Sequence, residues 1–111
     1  MKVRIVEWSA FLSEFIDARR FEAVLLAWNL SLDPDIYDIW HSSKVRPGEF
    51  NFLSYQNKEV DRLLEEARRT FDQEKRREFY FRIHELIYQD RPCVFLYVQD
   101  SLTAFHKRIK G

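Results

Sequence analysis

A chain of 111 residues is one domain at most and buries roughly two-thirds of the surface it exposes when unfolded. Lys plus Arg balance Asp plus Glu at 18 each, which excludes the basic excess of a nucleic-acid interface, so no nucleic-acid partner is expected. Aromatic residues make up 16% while Gly and Pro number only two and three, which excludes the composition of a disordered linker.

Cys93 is the single cysteine, so an internal disulfide and a cysteine-based zinc site are both excluded, and a small buried hydrophobe is its expected role. No apolar run reaches the roughly 18 residues of a membrane span. The opening "MKVRIVEWSAFLSEF" has charges at Arg4, Glu7 and Glu14 and no apolar h-region, so an export signal is not expected.

Taken in chain order, "KVRIVEW" alternates Val3, Ile5 and Glu7 with Arg4, Val6 and Trp8, which predicts a strand. Ser9 is the expected cap of a helix over "SAFLSEFIDARR", where Phe11, Leu12, Phe15, Ile16 and Ala18 keep helical spacing. "FEAVLLAWN" is the near-continuous apolar run of a strand buried on both faces. Strand, helix and strand make a right-handed βαβ unit, so the expected fold class is α/β.

After the loop "AWNLSLDPDIYDIWHSS", Asp33-Pro34 predicts the start of a short helix, "KVRPGE" a turn and "FNFLSY" a short extended piece. Asn57 caps a predicted helix "KEVDRLLEEARRT", in which Val60, Leu63, Leu64 and Ala67 recur at i, i+3, i+4, i+7. Asp72 caps a second, "QEKRREFYFRIHELIYQD", with Phe79, Ile83, Leu86 and Ile87 on the core face and Pro92 ending it. "CVFLYVQ" predicts a third strand, and "DSLTAFHKRIKG" a further strand or an irregular tail. Arg68, Arg69, Lys75, Arg76 and Arg77 interleave with Glu65, Glu66, Asp72, Glu74 and Glu78, which predicts a solvated, salt-bridged face.

Enzyme signatures are lacking, and no catalytic residue, metal ligand or cofactor is expected. His41, His84 and His106 lie far apart, and "HELIY" has Tyr88 where a zinc-binding helix needs its second histidine. No "GxSxG" turn and no phosphate-cradling glycine loop occurs. Asp33, Asp35 and Asp38 lack the Gly and the final Glu of an EF-hand loop. What remains is aromatic surface around a polar loop. Trp28 and Trp40 either plug the core, burying up to about 250 Å² each, or Trp28 stands at the C-terminal end of a buried strand where α/β sheets bind ligands.

"FEAVLLAWNLSLDPDIYDIWHSS" followed by "NFLSYQNKEVDRLLEEARRTFDQEKRREFYFRIHELIYQDRPCVFLYVQDSLTAF" resembles the C-terminal part of extracytoplasmic solute-binding proteins of the oligopeptide- and dipeptide-binding type. The motifs that carry the resemblance are "W…DPD", "Y-x-N-x-E-V-D-x-L-L-E-E-A" at 55–67, Asp72 with Arg76, and Ile87 to Tyr97. It implies a fragment, residues 1–111, of the second lobe of a two-lobed α/β protein that closes on its solute. It also implies a periplasmic or extracytoplasmic location, a peptide or oligosaccharide ligand, and the membrane subunits of an ATP-driven (ABC) importer as partners. As it stands, without an export signal, the chain would be cytoplasmic.

In peptide binders of this type an Asp in the loop after the Trp grips the peptide's ammonium. That position falls on Ser31 counted from Trp28 and on Leu30 counted back from Pro34, and neither is a carboxylate. The resemblance therefore points to Trp28, Asn29, Leu30 and Ser31 as ligand-facing, with indole stacking on a sugar as the alternative chemistry. Structural roles are expected for Asp33 and Pro34 (the turn), Trp40, Tyr55, Asn57 (a helix cap) and Asp61 (in the first helical turn, suiting the dipole). A lone lobe fragment would expose strand edges and aromatic patches, which predicts a homodimer or higher oligomer. The rival reading is a stand-alone interaction domain that complements a separate N-terminal lobe.

Overall fold

The computed structural model describes residues 3–29, 33 and 35–98. Leu30, Ser31, Pro34 and the segment "DSLTAFHKRIKG" fall outside the described residues. Four helical elements organise the rest. A single α-helical turn, α1 (Trp8–Phe11), runs on into wide π-type turns over Leu12–Asp17. A short α2 (Tyr37–Trp40) is followed by a 3-10 turn at Ser42–Lys44. Then come α3 (Lys58–Arg69) and α4 (Gln73–Asp90).

The α3–α4 pair is the core, and its caps explain its boundaries. Asn57 Oδ1 accepts from Glu59 N at 3.0 Å and Val60 N at 3.2 Å, holding two donors that the first turn leaves free. Asp72 does the same for α4 through Lys75 N at 3.0 Å. The end of α4 is made by Arg91 in the left-handed region at φ 50°, its N–H reaching Ile87 O at 3.0 Å. Pro92 follows the stop and does not itself make it. Val60, Leu63, Leu64 and Ala67 of α3 bury against Tyr80, Ile83 and Ile87 of α4, with Ile36, Trp40 and Tyr55 closing one side. Phe79 and Leu86 pack at the margin, so the core face of α4 is centred on Tyr80, Ile83 and Ile87.

The expected βαβ unit is not formed: among the described residues there is no β-strand. Val3–Glu7, residues 21–29 and residues 93–98 are irregular chain, and Ile5, Leu25, Val94 and Val98 are 95%, 78%, 82% and 94% exposed. The physical reason is that alternation and apolar runs report strand propensity, whereas a strand exists only when a neighbour about 4.8 Å away completes its hydrogen bonds. No described segment supplies that ladder. The first helix also departs from expectation. Glu7, not Ser9, caps it, accepting from Ala10 N at 3.1 Å and from the Ser9 hydroxyl, and of its apolar residues only Ile16 is buried. "FNFLSY" is a turn at Phe52–Leu53 rather than an extended piece.

Candidate functional site

The loop from Trp28 to Tyr55 is assembled by aromatic packing first. Trp28 stacks on Phe52 with centroids 5.4 Å apart and planes 20° off parallel. It meets Trp40 at 5.6 Å, tilted by 48°. Trp40 in turn stands edge-on to Tyr55 at 5.6 Å and meets Phe95 at 6.2 Å. Offset and edge-to-face pairs of this kind add about 0.5–1.5 kcal/mol each beyond their buried area. Trp40 is buried and Trp28 half-buried, so the two tryptophans plug the side of the helical core. The Trp28 Nε1–H is buried with no hydrogen-bond partner among the described residues.

Ionic and polar clamps then fix the loop to the helices. Asp35 Oδ1 accepts from Tyr37 N at 3.1 Å, setting the entry to α2, while Oδ2 accepts from Arg68 Nε at 2.8 Å and lies 2.6 Å from Nη2. Burial works to raise the Asp35 carboxyl, but the Arg68 hydrogen bond, the Tyr37 amide and the two nearby guanidinium charges outweigh it and hold the carboxyl below its ordinary value. Arg76 of α4 pairs with Asp33 and reaches the Tyr80 hydroxyl at 3.4 Å. Lys44 lies 3.4 Å from Asp38 and 3.3 Å from Glu49. The expected salt-bridged face is present in part, as in Arg69 with Glu65 at 3.6 Å, but Arg68 and Arg76 turn to the loop aspartates instead.

Three groups that the sequence reading did not single out hold the rest of the loop. Asn51, 1% exposed, donates from Nδ2 to His41 O at 3.1 Å and Tyr55 O at 2.9 Å and accepts from Tyr55 N at 3.0 Å. His41 stacks on Tyr37 at 4.1 Å, and its Nδ1 accepts from Ser43 N at 3.1 Å. Arg19, itself at φ 55°, spreads Nη2 among the carbonyls of Val45, Arg46, Glu49 and Asn51 at 3.3–3.5 Å, tying the α1 segment to the loop. Only the "FNF" context, a polar residue between two aromatics, hints at Asn51, and nothing in the sequence marks Arg19.

The expected structural residues fall into two linked sets. Asp61 takes Ser42 N at 2.8 Å and Ser42 Oγ at 2.5 Å, so it joins the 3-10 turn to α3 in addition to standing in the first helical turn. The Tyr55 hydroxyl donates to Asp90 Oδ2 at 2.6 Å and Asn57 Nδ2 donates to the same oxygen at 2.8 Å, drawing both ends of the helical hairpin to one carboxylate. Burial, then this bond and the Asp90 charge, push the Tyr55 phenol well up, and the Tyr55 and Asn57 donors hold the Asp90 carboxyl down. Of the residues expected to face ligand, Trp28 lies in the aromatic cluster, Asn29 is exposed, and Leu30 and Ser31 lie outside the described residues. Cys93 is half-buried at the edge of the core, and burial raises its thiol, as suits an inert small hydrophobe.

Among the described residues the loop is thus an aromatic cluster clamped to a helical hairpin by ion pairs and buried hydrogen bonds. The chain matches the C-terminal portion of solute-binding proteins of the oligopeptide- and dipeptide-binding type. It is 35% identical to the oligopeptide-binding protein AppA of Bacillus subtilis (strain 168) over 112 residues, covering 100% of this chain and 20% of AppA. It is 34% identical over 82 residues to the probable D,D-dipeptide-binding periplasmic protein DdpA of Escherichia coli (strain K12), covering 71% of this chain and 16% of DdpA. The solved structure of Bacillus subtilis AppA in complex with a nonapeptide superposes with a TM-score of 0.71 at 38% identity, over 82% of this chain and 18% of that one. No protein-family profile matches the sequence. The chain thus spans a fifth or less of the length of these relatives.

Proposed function

We propose that this chain forms part of the ligand-enclosing lobe of a peptide-binding protein that serves an ATP-driven importer. The observation that carries the reading is the agreement in both sequence and fold with a protein solved in complex with a nonapeptide. In this reading Trp28, Asn29, Leu30 and Ser31 face the ligand from a loop that α3 and α4 hold through Asp35–Arg68 and Asp33–Arg76. Capture is by cleft closure. Peptide main-chain hydrogen bonds and aromatic contact supply the affinity, and no bond is made or broken.

The exposed apolar segments 3–7, 21–29 and 93–98 fit this reading, because they have the composition of strands whose ladder partners lie in another part of such a protein. The nonapeptide held by the solved relative favours a peptide over an oligosaccharide as the ligand.

The test is to exchange this chain for the matching segment of the Bacillus subtilis protein and to measure nonapeptide binding by calorimetry. Retained binding, weakened at least tenfold by Trp28→Ala, is expected. A folded exchange protein that binds no peptide overturns the reading.

A further inference from the structure

We propose that Arg19 is a positioning residue for Trp28. Its guanidinium is the internal cation around which the loop of residues 45–51 folds, and that loop sets the ring on which Trp28 stacks. The ligand-facing role of Trp28 is the one proposed above, and the binding part of this inference rests on it.

Four main-chain carbonyls, those of Val45, Arg46, Glu49 and Asn51, converge on Arg19 Nη2 at 3.3–3.5 Å. A terminal guanidinium nitrogen carries two protons, so four acceptors at that range share them. The contact is that of a charge in a cup of carbonyl dipoles, not of four separate hydrogen bonds. Converging carbonyls of this kind substitute for the water shell of a cation, and without one their dipoles repel. The other end of the fork is anchored, since Nη1 donates to Ile16 O at 2.8 Å, three residues back. Arg19 also stands at φ 55°, a backbone that suits glycine. What arginine adds there is the guanidinium.

The cup leads to Trp28 in two steps. Asn51 O, which also accepts from Ser54 N at 3.1 Å, belongs to the peptide unit that joins Asn51 to Phe52. The Asn51 side chain holds the other flank through His41 O and the Tyr55 main chain. With both flanks fixed, the Phe52 ring is directed onto Trp28, 5.4 Å away and 20° off parallel. Trp40 is held separately, buried in the helical core and edge-on to Tyr55. Loss of the cation is therefore read at Trp28 and not at Trp40.

The chain labelled with 5-fluorotryptophan gives three 19F lines, from Trp8, Trp28 and Trp40, each assigned by its Trp→Phe variant. In Arg19→Met, which fills the space without the charge, the Trp28 line is expected to move while the Trp40 line holds. Arg19→Lys returns a charge to the cup and keeps the Trp28 line near its wild-type position. The same Trp28 line in the Met and Lys variants overturns the inference, and so does joint movement of the Trp28 and Trp40 lines. In Arg19→Ala, free guanidinium at a non-denaturing concentration restores the Trp28 line and tetramethylammonium, which has no N–H, does not. Failure of guanidinium to restore it also overturns the inference. In the exchange protein described above, Arg19→Met is expected to weaken nonapeptide binding about tenfold, and Arg19→Lys to recover part of that loss. Equal affinities overturn the binding part. A folded exchange protein with Arg19 intact that binds no peptide overturns the peptide-binding reading, while the fluorine lines still decide whether Arg19 sets the ring.

Discussion

Arg68 Nε donates to Asp35 Oδ2 at 2.8 Å while the carbon of the same guanidinium stands 3.8 Å from the centre of the Tyr37 ring, with His41 stacked on that ring at 4.1 Å. Tyr37 thus meets both side chains, and α2 is pinned to α3 through Arg68. Replacing Arg68 by Gln removes the charge, the second donor and the stacked plane together. An expected loss of about 1–2 kcal/mol combines a solvent-discounted ion pair with a cation–π contact. Arg68→Lys keeps the charge but loses the planar fork, and recovers less than half of that loss. Urea denaturation of the three proteins gives the comparison, and equal midpoints for wild type and Gln would count against the pairing.

The same pair sets the acid response. The Asp35 carboxyl titrates lower in the folded chain than in the unfolded one. The unfolded chain therefore binds the proton first, and the stabilisation is complete above the ordinary Asp value of about 3.9 and is lost as pH falls through the folded value. Between about pH 5 and pH 2 the Asp35→Asn variant should lose less stability than the wild type does. Parallel acid curves for the two proteins would remove Asp35 from the explanation.

Asn51 offers a sharper case because it is buried and every polar atom of its amide is used. Asn51→Ala leaves the His41 and Tyr55 carbonyls and the Tyr55 amide without their buried partner. Each orphaned group costs on the order of 1–3 kcal/mol where water cannot reach it, so a loss of about 3 kcal/mol or more is expected. Asn51→Asp keeps the shape but turns two donors into acceptors facing carbonyls, so it should be at least as damaging as Ala. Thermal unfolding that ranks Asp above Ala would contradict the assigned bonds.

How much of this was legible in the chain depends on the range of the force involved. The α3 and α4 spans could be read directly, because caps at Asn57 and Asp72 and the i, i+3, i+4, i+7 stripe are local signals. The strands could not be confirmed. Residues 21–29 carry the composition of a buried strand, but pairing is a property of two segments and no local pattern names the second. The loop showed the same divide. Trp28 and Trp40 announced aromatic packing, whereas Phe52, which stacks on Trp28, lies 24 residues beyond it and depends on a turn the sequence did not mark. The destinations of Arg68 and Arg76 were misjudged for a related reason. Glutamates one helical turn away are the sequence-visible partners, while Asp35 and Asp33 come near only after the loop has folded over both helices.

Arg91 stops α4 from a left-handed conformation at φ 50°, which costs a residue with a Cβ roughly 1 kcal/mol relative to glycine. Arg91→Gly removes that strain but gives the unfolded chain more freedom, and the two effects partly offset. A net gain of about 0.5 kcal/mol is expected, since glycine is the favoured residue at this cap and the Arg91 side chain is exposed. Arg91→Ala, which keeps the strain and drops only the side chain, should show no gain. A stabilised Ala variant would shift the explanation to the guanidinium charge.

The phenol of Tyr55 supplies the alkaline counterpart. Its hydroxyl donates to Asp90 from a buried position, so ionising it would both bury an anion and set it against a carboxylate. The phenol therefore titrates higher in the folded chain than the ordinary tyrosine value of about 10. A raised folded value means the native state keeps the proton after the unfolded chain has released it. Stability is then full below about pH 10 and falls above it, by at most about 1.4 kcal/mol per pH unit for this one proton. Tyr55→Phe abolishes that slope while keeping the ring edge-on to Trp40, so its stability should fall less steeply between pH 10 and 12. Absorbance at 295 nm, which reports phenolate, should show Tyr55 ionising only as the chain unfolds. A phenol that titrates near 10 in the folded protein would show that the Asp90 bond does not hold in solution.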